Sequence, residues 1–347
     1  MKYPARLLLL LLLLINCLHI SAQKPIPKLT DRSKKGIMAY FKTIVNNKQV
    51  IVGQQCSQSA DVALEYQKNF QRLYDSTGHY PALLGLEYGW FANMDLSKVN
   101  EYAIKHWQQG GLVTISWHAD CPFKDGYDVR WDAIANKNTI DLKKLVEDAP
   151  ESKEKASYRA ELTNVAKALK QLQNAGVTVI WRPFHEMNGS WFWWGTNDNK
   201  NPTNQNDYAD LWIDMYKVFT VDYGLDNLIW VYAPNIAGTS LPAPDVFYPG
   251  DKYVDLVALD NYSKVPDFDD YPVLLKLGKP VTDGEVGPHQ QFYGKFDEMA
   301  VLNTYKGKAP YFLQWHSWTG AKVAIVDNLH YKELMNDAGA ITLDKIR

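Results

Sequence analysis

Residues 177–195 read VTVIWRPFHEMNGSWFWWG, an apolar segment that passes into an ionisable pair and then into an aromatic cluster. The run Val177–Trp181 has the length and composition of a strand in the interior of an α/β protein. His185 and Glu186 follow this run, and four aromatic residues come shortly after them. A carboxyl in an aromatic cleft tends to have a raised pKa, because desolvation disfavours its anion. The stretch therefore predicts a buried strand with an acid at its carboxyl end.

Short apolar runs of this kind recur along the chain, with helix-like segments between them. Several runs are continuous rather than alternating, which is typical of strands buried on both faces. Apolar residues recur at helical spacing in Ala160–Ala175 and Tyr208–Phe219. Strand–helix alternation repeated eight times predicts an α/β protein with a (β/α)8 TIM barrel, as a single catalytic domain over residues 23–347, and an open doubly wound sheet is the alternative. The predicted strands are Val50–Gly53, Ala82–Tyr88, Leu112–His118, Val177–Glu186, Leu228–Asn235, Val254–Tyr262, Pro280–Gly287 and Pro310–Trp318.

Polar and aromatic residues stand at the carboxyl ends of these strands, whereas the strand bodies are apolar. In (β/α)8 barrels the carboxyl ends of the strands carry the active site. A series of eight such ends is therefore stronger evidence for a site than any one residue. The end residues are Gln54, Glu87, His118, Glu186, Asn235, Tyr262, Glu285 and Trp315.

Glu186 and Glu285 are the central candidate pair. They lie far apart in the sequence, but the fourth and seventh strands of one barrel end on the same rim. Cleavage of a glycosidic bond needs two carboxyl groups, one to protonate the leaving oxygen and one to attack the sugar or to activate water. The pair therefore predicts a sugar-cleaving site. The alternatives are that the aromatic residues only fill the core and that Glu285 is a water-exposed turn residue.

Three further strand-end residues fit the same site. His118 follows Trp117 at the third strand, Trp315 offers a flat face on the eighth, and Tyr262 is placed to hydrogen-bond to the Glu285 carboxylate. We predict no metal and no cofactor. His185-Glu186 begins like a zinc-protease motif, but position 189 is Gly where the second histidine would stand. His118, Asp120 and Cys121 follow no zinc spacing, and the chain has no nucleophile elbow, P-loop or dinucleotide fingerprint.

Residues 1–22 resemble a cleavable signal peptide. Lys2 and Arg6 precede an apolar stretch that is too short to span a bilayer, and Ser21-Ala22 supplies small residues for cleavage. The sequence thus predicts a secreted or periplasmic protein without a transmembrane anchor. Lipidation at Cys17 is the less favoured alternative, because Asn16 is larger than the small residue that such sites prefer.

The net charge and the aromatic content indicate which class of partner the protein binds. Loss of Lys2 and Arg6 with the signal lowers the net charge from −2 to −4, which argues against a nucleic-acid partner. The 13% aromatic content suits stacking against a neutral sugar polymer, and we expect a monomer.

The two remaining cysteines, Cys56 and Cys121, each follow a predicted strand and are candidates for a disulfide in an oxidising compartment.

The sequence resembles glycoside hydrolase family 26, the β-mannanase family. The similarity rests on the RPFHEMNG segment at 182–189 with WFWW at 191–194, on SWH at 116–118, on GEVG at 284–287 and on YFLQW at 311–315. These segments match the family in order and placement over nearly all of the mature chain. In the wider clan Asn usually precedes the acid, whereas in this family, as here, the preceding residue is His.

The resemblance implies a retaining mechanism, with Glu186 as acid/base and Glu285 as nucleophile. It also implies that five residues line the site around the cleaved sugar, and we expect Arg182, from the same motif, to contact the substrate as well. The five are His118, His185, Trp191, Tyr262 and Trp315. The implied substrate is β-1,4-mannan or manno-oligosaccharide.

The chain departs from the simplest family pattern between the third and fourth strands. Residues 119–176 are too many for one helix, so we expect a long rim loop from Asp120 to about Pro150. Such a loop could close one end of the cleft and cause release of mannobiose from chain ends instead of internal cleavage. A β-glucanase or xylanase on the same scaffold, and a non-catalytic polysaccharide-binding protein, are the competing functional interpretations.

Overall fold

The computed structural model of the protein describes residues 24–56, 60–92, 94–130, 140–195 and 204–347. The predicted signal peptide at 1–22, including Cys17, lies outside the described residues. In the part of the chain that is described, no helix is both long and apolar enough to cross a membrane.

Eight parallel strands close into a barrel. The order of neighbours runs from β2 through β8 to β1, and β1 also pairs with β2, which closes the sheet. The predicted (β/α)8 barrel is therefore confirmed, and the open doubly wound alternative is wrong. The strands are β1 (Val50–Gln55), β2 (Leu83–Gly89), β3 (Leu112–His118), β4 (Val179–Pro183), β5 (Leu228–Tyr232), β6 (Leu256–Ser263), β7 (Val281–Pro288) and β8 (Tyr311–Gln314). A short ninth strand, β9 (Ala340–Ile341), pairs with β1 outside the barrel.

Helices surround the barrel, and side-chain caps fix where the two predicted helices begin. The helix predicted at 160–175 begins earlier, because Ser152 accepts a hydrogen bond from Lys155 N, and the helix predicted at 208–219 begins after Asn204, which caps it in the same way. The α-helices are α1 (Lys34–Asn46), α2 (Val62–Glu65), α3 (Arg72–Thr77), α4 (Leu96–Gln108), α5 (Lys153–Asn174), α6 (Gln205–Lys217), α7 (Tyr271–Leu274), α8 (Glu298–Tyr305), α9 (Tyr331–Asn336) and α10 (Leu343–Ile346). Tyr66–Gln71 and Val218–Asp222 are π-helical, and single 3₁₀ turns lie at Leu142–Lys144, Asp251–Tyr253, Leu275–Leu277, Gln290–Phe292 and Ile325–Asp327.

Strand β4 ends three residues before the predicted boundary. Pro183 has no N–H to donate to a strand ladder, and Phe184 and Glu186 adopt left-handed backbone angles, with φ of 45° and 55°. Glu186 N donates to Ala233 O at 2.7 Å, so the turn is fastened to the segment after β5. Left-handed backbone is unfavourable for residues other than glycine and is concentrated at functional sites. The backbone at the end of β4 therefore sets the direction of the Phe184 and Glu186 side chains.

A β-bulge in β7 sets the direction of Glu285. Leu259 lies opposite Asp283, but the next residue, Asp260, lies opposite Glu285, so Gly284 is the extra residue. An inserted residue reverses the alternation of side chains along a strand. Asp283 consequently contacts Tyr305 on α8, whereas Glu285 points into the barrel mouth.

The two cysteines do not form the disulfide considered from the sequence. Cys56 and Cys121 are both free and buried. Cys56 follows β1, and Cys121 follows β3. Because β2 lies between these two strands, β1 and β3 are about 9–10 Å apart at ordinary strand spacing. A disulfide needs Cα atoms within about 7 Å, so the strand order explains why these two candidate cysteines do not pair.

The segment before α1 docks on the barrel. Leu29 N donates to Ile346 O at 2.9 Å, and the Arg32 guanidinium donates to Trp107 O at 2.6 Å and Gly111 O at 2.5 Å. The same guanidinium stacks 3.5 Å from the centre of the Trp107 ring. Arg32 thus connects the segment before α1 to α4 and to the residue that precedes β3.

We expect Arg32→Ala to lower the free energy of unfolding by about 2–4 kcal/mol, since it removes two charge-assisted hydrogen bonds and a cation–π contact. Urea denaturation measures this change. The control is Lys35→Ala, an exposed cation in the first turn of α1, which we expect to stay within about 0.5 kcal/mol of the wild type. Equal effects of the two substitutions would show that Arg32 does not anchor the segment.

Candidate active site

A cleft of about 490 Å³ lies at the carboxyl ends of the barrel strands. Two carboxyl groups and three histidines are set among aromatic rings in its walls, as expected for a site that handles a neutral polyhydroxylated ligand. The lining residues are Trp90, Phe91, His118, His185, Glu186, Phe192, Tyr262, Glu285, Trp315, His316 and Trp318.

Glu186 is a buried carboxyl with two hydrogen-bond donors. Trp191 Nε1 donates to Oε2, and Asn235 Nδ2 donates to Oε1 at 2.7 Å. Burial and the nearby charge of Glu285 together raise the pKa of Glu186 to about 7, although both donors act in the opposite direction. The group can therefore carry a proton near neutral pH and release it readily.

Glu285 is held in a different environment from Glu186. Arg182 Nη2 donates to Oε1, and Tyr262 Oη donates to Oε2 at 2.6 Å. Burial and the charge of Glu285 raise the pKa of Tyr262 well above its usual range, so the phenol keeps its proton and remains a donor. Each oxygen of Glu285 thus has its own donor, a guanidinium at one and a phenol at the other. The two glutamates therefore differ in their partners, because Glu285 contacts a cation and Glu186 contacts two neutral donors.

Arg182 connects β4 with β6 and β7 across the barrel mouth. Its Nη1 donates to Asp260 Oδ2 at 2.8 Å, while Nη2 contacts Glu285. Trp181, the preceding residue, packs outward against Phe219 and Trp117, so strand alternation turns Arg182 inward. Burial alone would lower the pKa of Arg182, but the two carboxylates outweigh it and raise the pKa.

Gly284 makes room for this ion pair. A Cβ atom at position 284 would lie 2.3 Å from Asp260 Oδ1 and 3.2 Å from Arg182 Cδ. Neighbouring protein side chains therefore occupy the space beside Gly284.

His185 and His118 lie against each other beside the carboxyl pair. Their rings meet edge to face with centroids 4.4 Å apart, and His185 Nε2 is 3.6 Å from Glu285 Oε1. Burial and the Arg182 cation lower the pKa of His185 well below its usual range, so the ring is neutral. A neutral ring beside the carboxylate can exchange hydrogen bonds with sugar hydroxyls without taking the proton from Glu186.

Glu87, a fully buried residue of β2, orients His118. Its Oε2 lies 2.9 Å from His118 Nδ1, and its Oε1 accepts a hydrogen bond from His118 N at 2.9 Å. Ser116 Oγ also donates to Glu87, at 2.5 Å. Glu87 therefore contacts the imidazole of His118 on the side away from the cleft, and the opposite edge of the ring faces the cleft.

Aromatic rings form the cleft walls. Trp90, with a left-handed φ of 70°, packs edge to face on His118 at 4.6 Å, and Phe192 stacks on Trp194 at 4.5 Å. Trp315 is almost buried, and its ring lies 5.8 Å from the Arg182 guanidinium. Trp191 is 36% exposed, and its indole N–H donates to Glu186.

One group of possible metal ligands exists among the described residues. His185, Asp260 and Glu285 place ligand atoms within 4.8 Å of one another. The Arg182 guanidinium already donates to both of these carboxylates, and a second cation there would be repelled. The donor set therefore fits an internal ion pair rather than a metal centre.

The structure brings together all eight residues that the sequence assigned to the site. His118, Arg182, His185, Glu186, Tyr262, Glu285 and Trp315 cluster around one cleft, and Trp191 reaches it through its bond to Glu186. Arg182, however, contacts Glu285 and Asp260 instead of standing free for substrate. Phe192 also lines the cleft, whereas Trp193 and Trp194 are fully buried and pack in the core.

Four residues of the site were missed or left without a role. From the sequence, Glu87 and Asn235 were identified only as strand ends. A polar residue at the carboxyl end of a barrel strand is itself a signal for a site residue, and this signal could have identified both. Asp260 stands two residues before Tyr262 on β6, and strand alternation could have placed its side chain on the same face. Trp90 follows the end of β2 and carried no signal of its own.

Comparisons with known proteins find one matching family and several similar chains. The profile of glycosyl hydrolase family 26 matches residues 27–345. The mannan endo-1,4-beta-mannosidase A and B of Caldalkalibacillus mannanilyticus is 33% identical over 339 residues, which cover 91% of this chain and 62% of that protein. A mannan endo-1,4-beta-mannosidase of Bacillus subtilis is 37% identical over 259 residues, covering 70% of this chain and 69% of that protein.

The architecture is also similar to a solved structure. That of the Bacillus subtilis mannanase BCman has a TM-score of 0.77 at 28% identity, covering 92% of this chain and 96% of that one. This chain spans less than two thirds of the length of the Caldalkalibacillus protein. Because the family profile covers nearly the whole chain from residue 27 onward, the protein belongs to glycosyl hydrolase family 26.

Proposed function

We propose that the protein is a secreted, retaining β-1,4-mannanase that cleaves mannan and manno-oligosaccharides. The observation that carries this proposal is the contrast between two neighbouring carboxyl groups. Glu186 is poised as an acid with a pKa of about 7, and Glu285 accepts hydrogen bonds from the Arg182 cation and from Tyr262. The substrate follows from the relatives, which are mannan endo-1,4-beta-mannosidases by name.

In the first step the Glu285 carboxylate attacks the anomeric carbon while Glu186 gives its proton to the departing glycosidic oxygen. The C–O bond to the leaving sugar breaks, and a covalent glycosyl ester forms on Glu285. Arg182 and Tyr262 hold the attacking carboxylate at a fixed angle, which reduces the entropy cost of reaching the transition state. The leaving sugar departs as a neutral alcohol.

In the second step Glu186, now an anion, takes a proton from water as the water oxygen attacks the same carbon. The ester bond breaks, Glu285 leaves as a carboxylate, and Glu186 is protonated again for the next cycle. Two inversions give net retention of configuration. Asn235 and Trp191 stabilise the anionic form of Glu186 between the two steps.

The competing interpretations differ in what they require of the site. A polysaccharide-binding protein has no need of an acid and an anion side by side, so the differentiated pair favours catalysis. Cellulose and mannan differ at the C2 hydroxyl alone, and β-glucanase or xylanase activity uses the same carboxyl pair. Release of reducing sugar from mannan, β-glucan and xylan distinguishes the three, and we expect mannan to be the preferred substrate.

Secretion, the monomeric state and the cleavage mode belong to the same proposal. Residues 1–22 carry the features of a signal peptide. For the cleavage mode we favour internal cleavage, as in the names of the relatives. Part of the predicted rim loop, residues 131–139, lies outside the described residues, while Arg130 forms a bridge with Phe192. Closure of the cleft by this loop, with mannobiose release, stays a prediction.

We expect Glu285→Ala to lower kcat on mannan by about 10⁴-fold or more, because the nucleophile is lost. Glu186→Ala should be far less damaging on aryl mannosides with good leaving groups, which need little protonation. Steady-state kinetics on both substrates test the two roles. Glu333→Ala, an exposed carboxyl on α9, is the control. Activity of Glu285→Ala on mannan, or an equal loss by Glu186→Ala on both substrates, would contradict the assignments.

The pH profile of kcat/KM should fall on its alkaline side with a midpoint near the Glu186 pKa of about 7. The sign follows from the role, because the acid must be protonated and loses its proton as the pH rises. Trp191→Phe and Asn235→Ala each remove a donor to the anion, so both should raise the pKa and move this limb to higher pH. A shift to lower pH in either variant would contradict the role of these donors.

The cleavage mode is read from the products of mannohexaose over time. We expect a mixture of mannobiose, mannotriose and mannotetraose from the first minutes, because an open cleft binds the chain in several registers. Chromatography of early samples resolves these products. Mannobiose and mannotetraose in equal amounts at the start, with no mannotriose, would instead indicate a closed cleft and release of mannobiose from a chain end.

A further inference from the structure

Glu161, a residue of α5, contacts the chain on both sides of His118. Its Oε1 accepts hydrogen bonds from Trp117 Nε1 at 3.2 Å and from Asp120 N at 3.0 Å. Trp117 directly precedes His118 at the end of β3, and Asp120 follows His118 by two residues. One carboxyl oxygen therefore holds both ends of residues 117–120, which we call the β3 shoulder.

Two neighbouring side chains of the β3 shoulder point in opposite directions. Successive residues of a strand alternate between its two faces, so His118 faces the cleft and Trp117 faces away from it. The Trp117 ring packs against Trp181 and Phe184, with centroids 6.1 and 5.0 Å apart. The indole N–H thereby reaches the helix layer, where it donates to Glu161. A contact made outside the barrel is in this way linked to a residue of the cleft wall.

Two further side chains hold the backbone of the β3 shoulder. Tyr127 Oη, from the loop that follows β3, donates to His118 O at 3.0 Å. Trp193 Nε1, from the segment that follows β4, donates to Ala119 O at 2.9 Å. The backbone around His118 is thus held from three directions, and Glu161 supplies the contact from the helix layer.

Glu161 lines a side pocket of about 260 Å³ between the carboxyl ends of β2 and β3 and the helices α4 and α5. Burial, together with the nearby carboxyl of Asp120, raises the pKa of Glu161 to about 8. The group therefore carries a proton for most of the time at pH 7, and its carbonyl oxygen still accepts hydrogen bonds. The contacts to the β3 shoulder consequently require an acceptor oxygen and not a negative charge.

His118 connects the β3 shoulder to the carboxyl pair. Its ring meets His185 edge to face with centroids 4.4 Å apart, and it meets Trp90 in the same way at 4.6 Å. His185 Nε2 in turn lies 3.6 Å from Glu285 Oε1. Because these rings are in contact, a displacement of His118 disturbs the side chains next to the proposed nucleophile. Misplacement of such groups by a fraction of their size lowers a reaction rate strongly.

We propose that Glu161 is a positioning residue for the mannanase reaction, which holds His118 in place through the β3 shoulder. The proposal rests on the proposed mannanase function and adds to it a residue that lies outside the barrel. Glu161 takes no part in breaking the glycosidic bond, and its role requires an acceptor oxygen at position 161.

The test compares two substitutions of similar size. Glu161→Gln keeps an acceptor oxygen and should retain kcat on mannan within about twofold of the wild type. Glu161→Met fills the same space without an acceptor, so kcat should fall about tenfold while KM stays within about threefold. Glu154→Ala, which removes a carboxyl in the first turn of the same helix, is the control and should match the wild type. Equal losses in the Gln and Met variants, with both folded by circular dichroism, would contradict the need for an acceptor.

A double-mutant cycle with His118→Ala separates positioning from a general structural effect. Glu161→Met should lower kcat/KM about tenfold in the wild type but less than about twofold in the His118→Ala background, because its effect passes through His118. A tenfold loss in both backgrounds would overturn the proposal. If the Met variant does not fold, Glu161→Ala, which opens onto the side pocket, takes its place in the cycle.

The outcomes for the positioning role and for the proposed function are distinct. If the wild type cleaves mannan and substitution of Glu161 by Met changes neither kcat nor KM, the positioning role is refuted and the mannanase function stands. If the wild type cleaves no mannan, the proposed function fails, and the positioning role fails with it.

Discussion

The Arg182 guanidinium lies in the barrel mouth away from water and donates to two carboxylates, Asp260 and Glu285. An unpaired buried charge of this kind is strongly unfavourable, and loss of one partner from a buried pair costs about 3–5 kcal/mol. The requirement to neutralise Arg182 therefore constrains β4, β6 and β7 together. It explains why β7 carries a bulge and why a glycine stands at position 284, where a side chain would collide with Asp260.

The same ion pair gives the two glutamates different surroundings. Glu285 contacts a cation and accepts a hydrogen bond from a phenol, whereas Glu186 faces aromatic rings and two neutral donors. The charge of Glu285 also helps to raise the pKa of Glu186. A change at Glu285 therefore alters the acidity of Glu186.

The sequence was sufficient for the barrel and for the central pair, but not for the interactions that support them. Eight apolar runs and their polar ends placed Glu186 and Glu285 correctly, since both follow from strand periodicity and barrel topology. Strand alternation puts Asp260 on the same face of β6 as Tyr262, but its pairing with Arg182 of β4 depends on contacts across the barrel mouth, which no local pattern announces. The same limit applies to the cysteines. Cys56 and Cys121 each follow a strand, and only the position of β2 between those strands shows that they do not meet.

The aromatic wall connects substrate binding to the acidity of Glu186. Burial and the charge of Glu285 raise the pKa of this carboxyl to about 7. In the proposed mechanism, a sugar that stacks between the rings displaces water from the cleft, and this further desolvation again disfavours the anion. The acid then holds its proton most firmly when a glycosidic oxygen is present to receive it. Binding energy gained on flat apolar surfaces is in this way converted into the protonation state that the proposed catalysis requires.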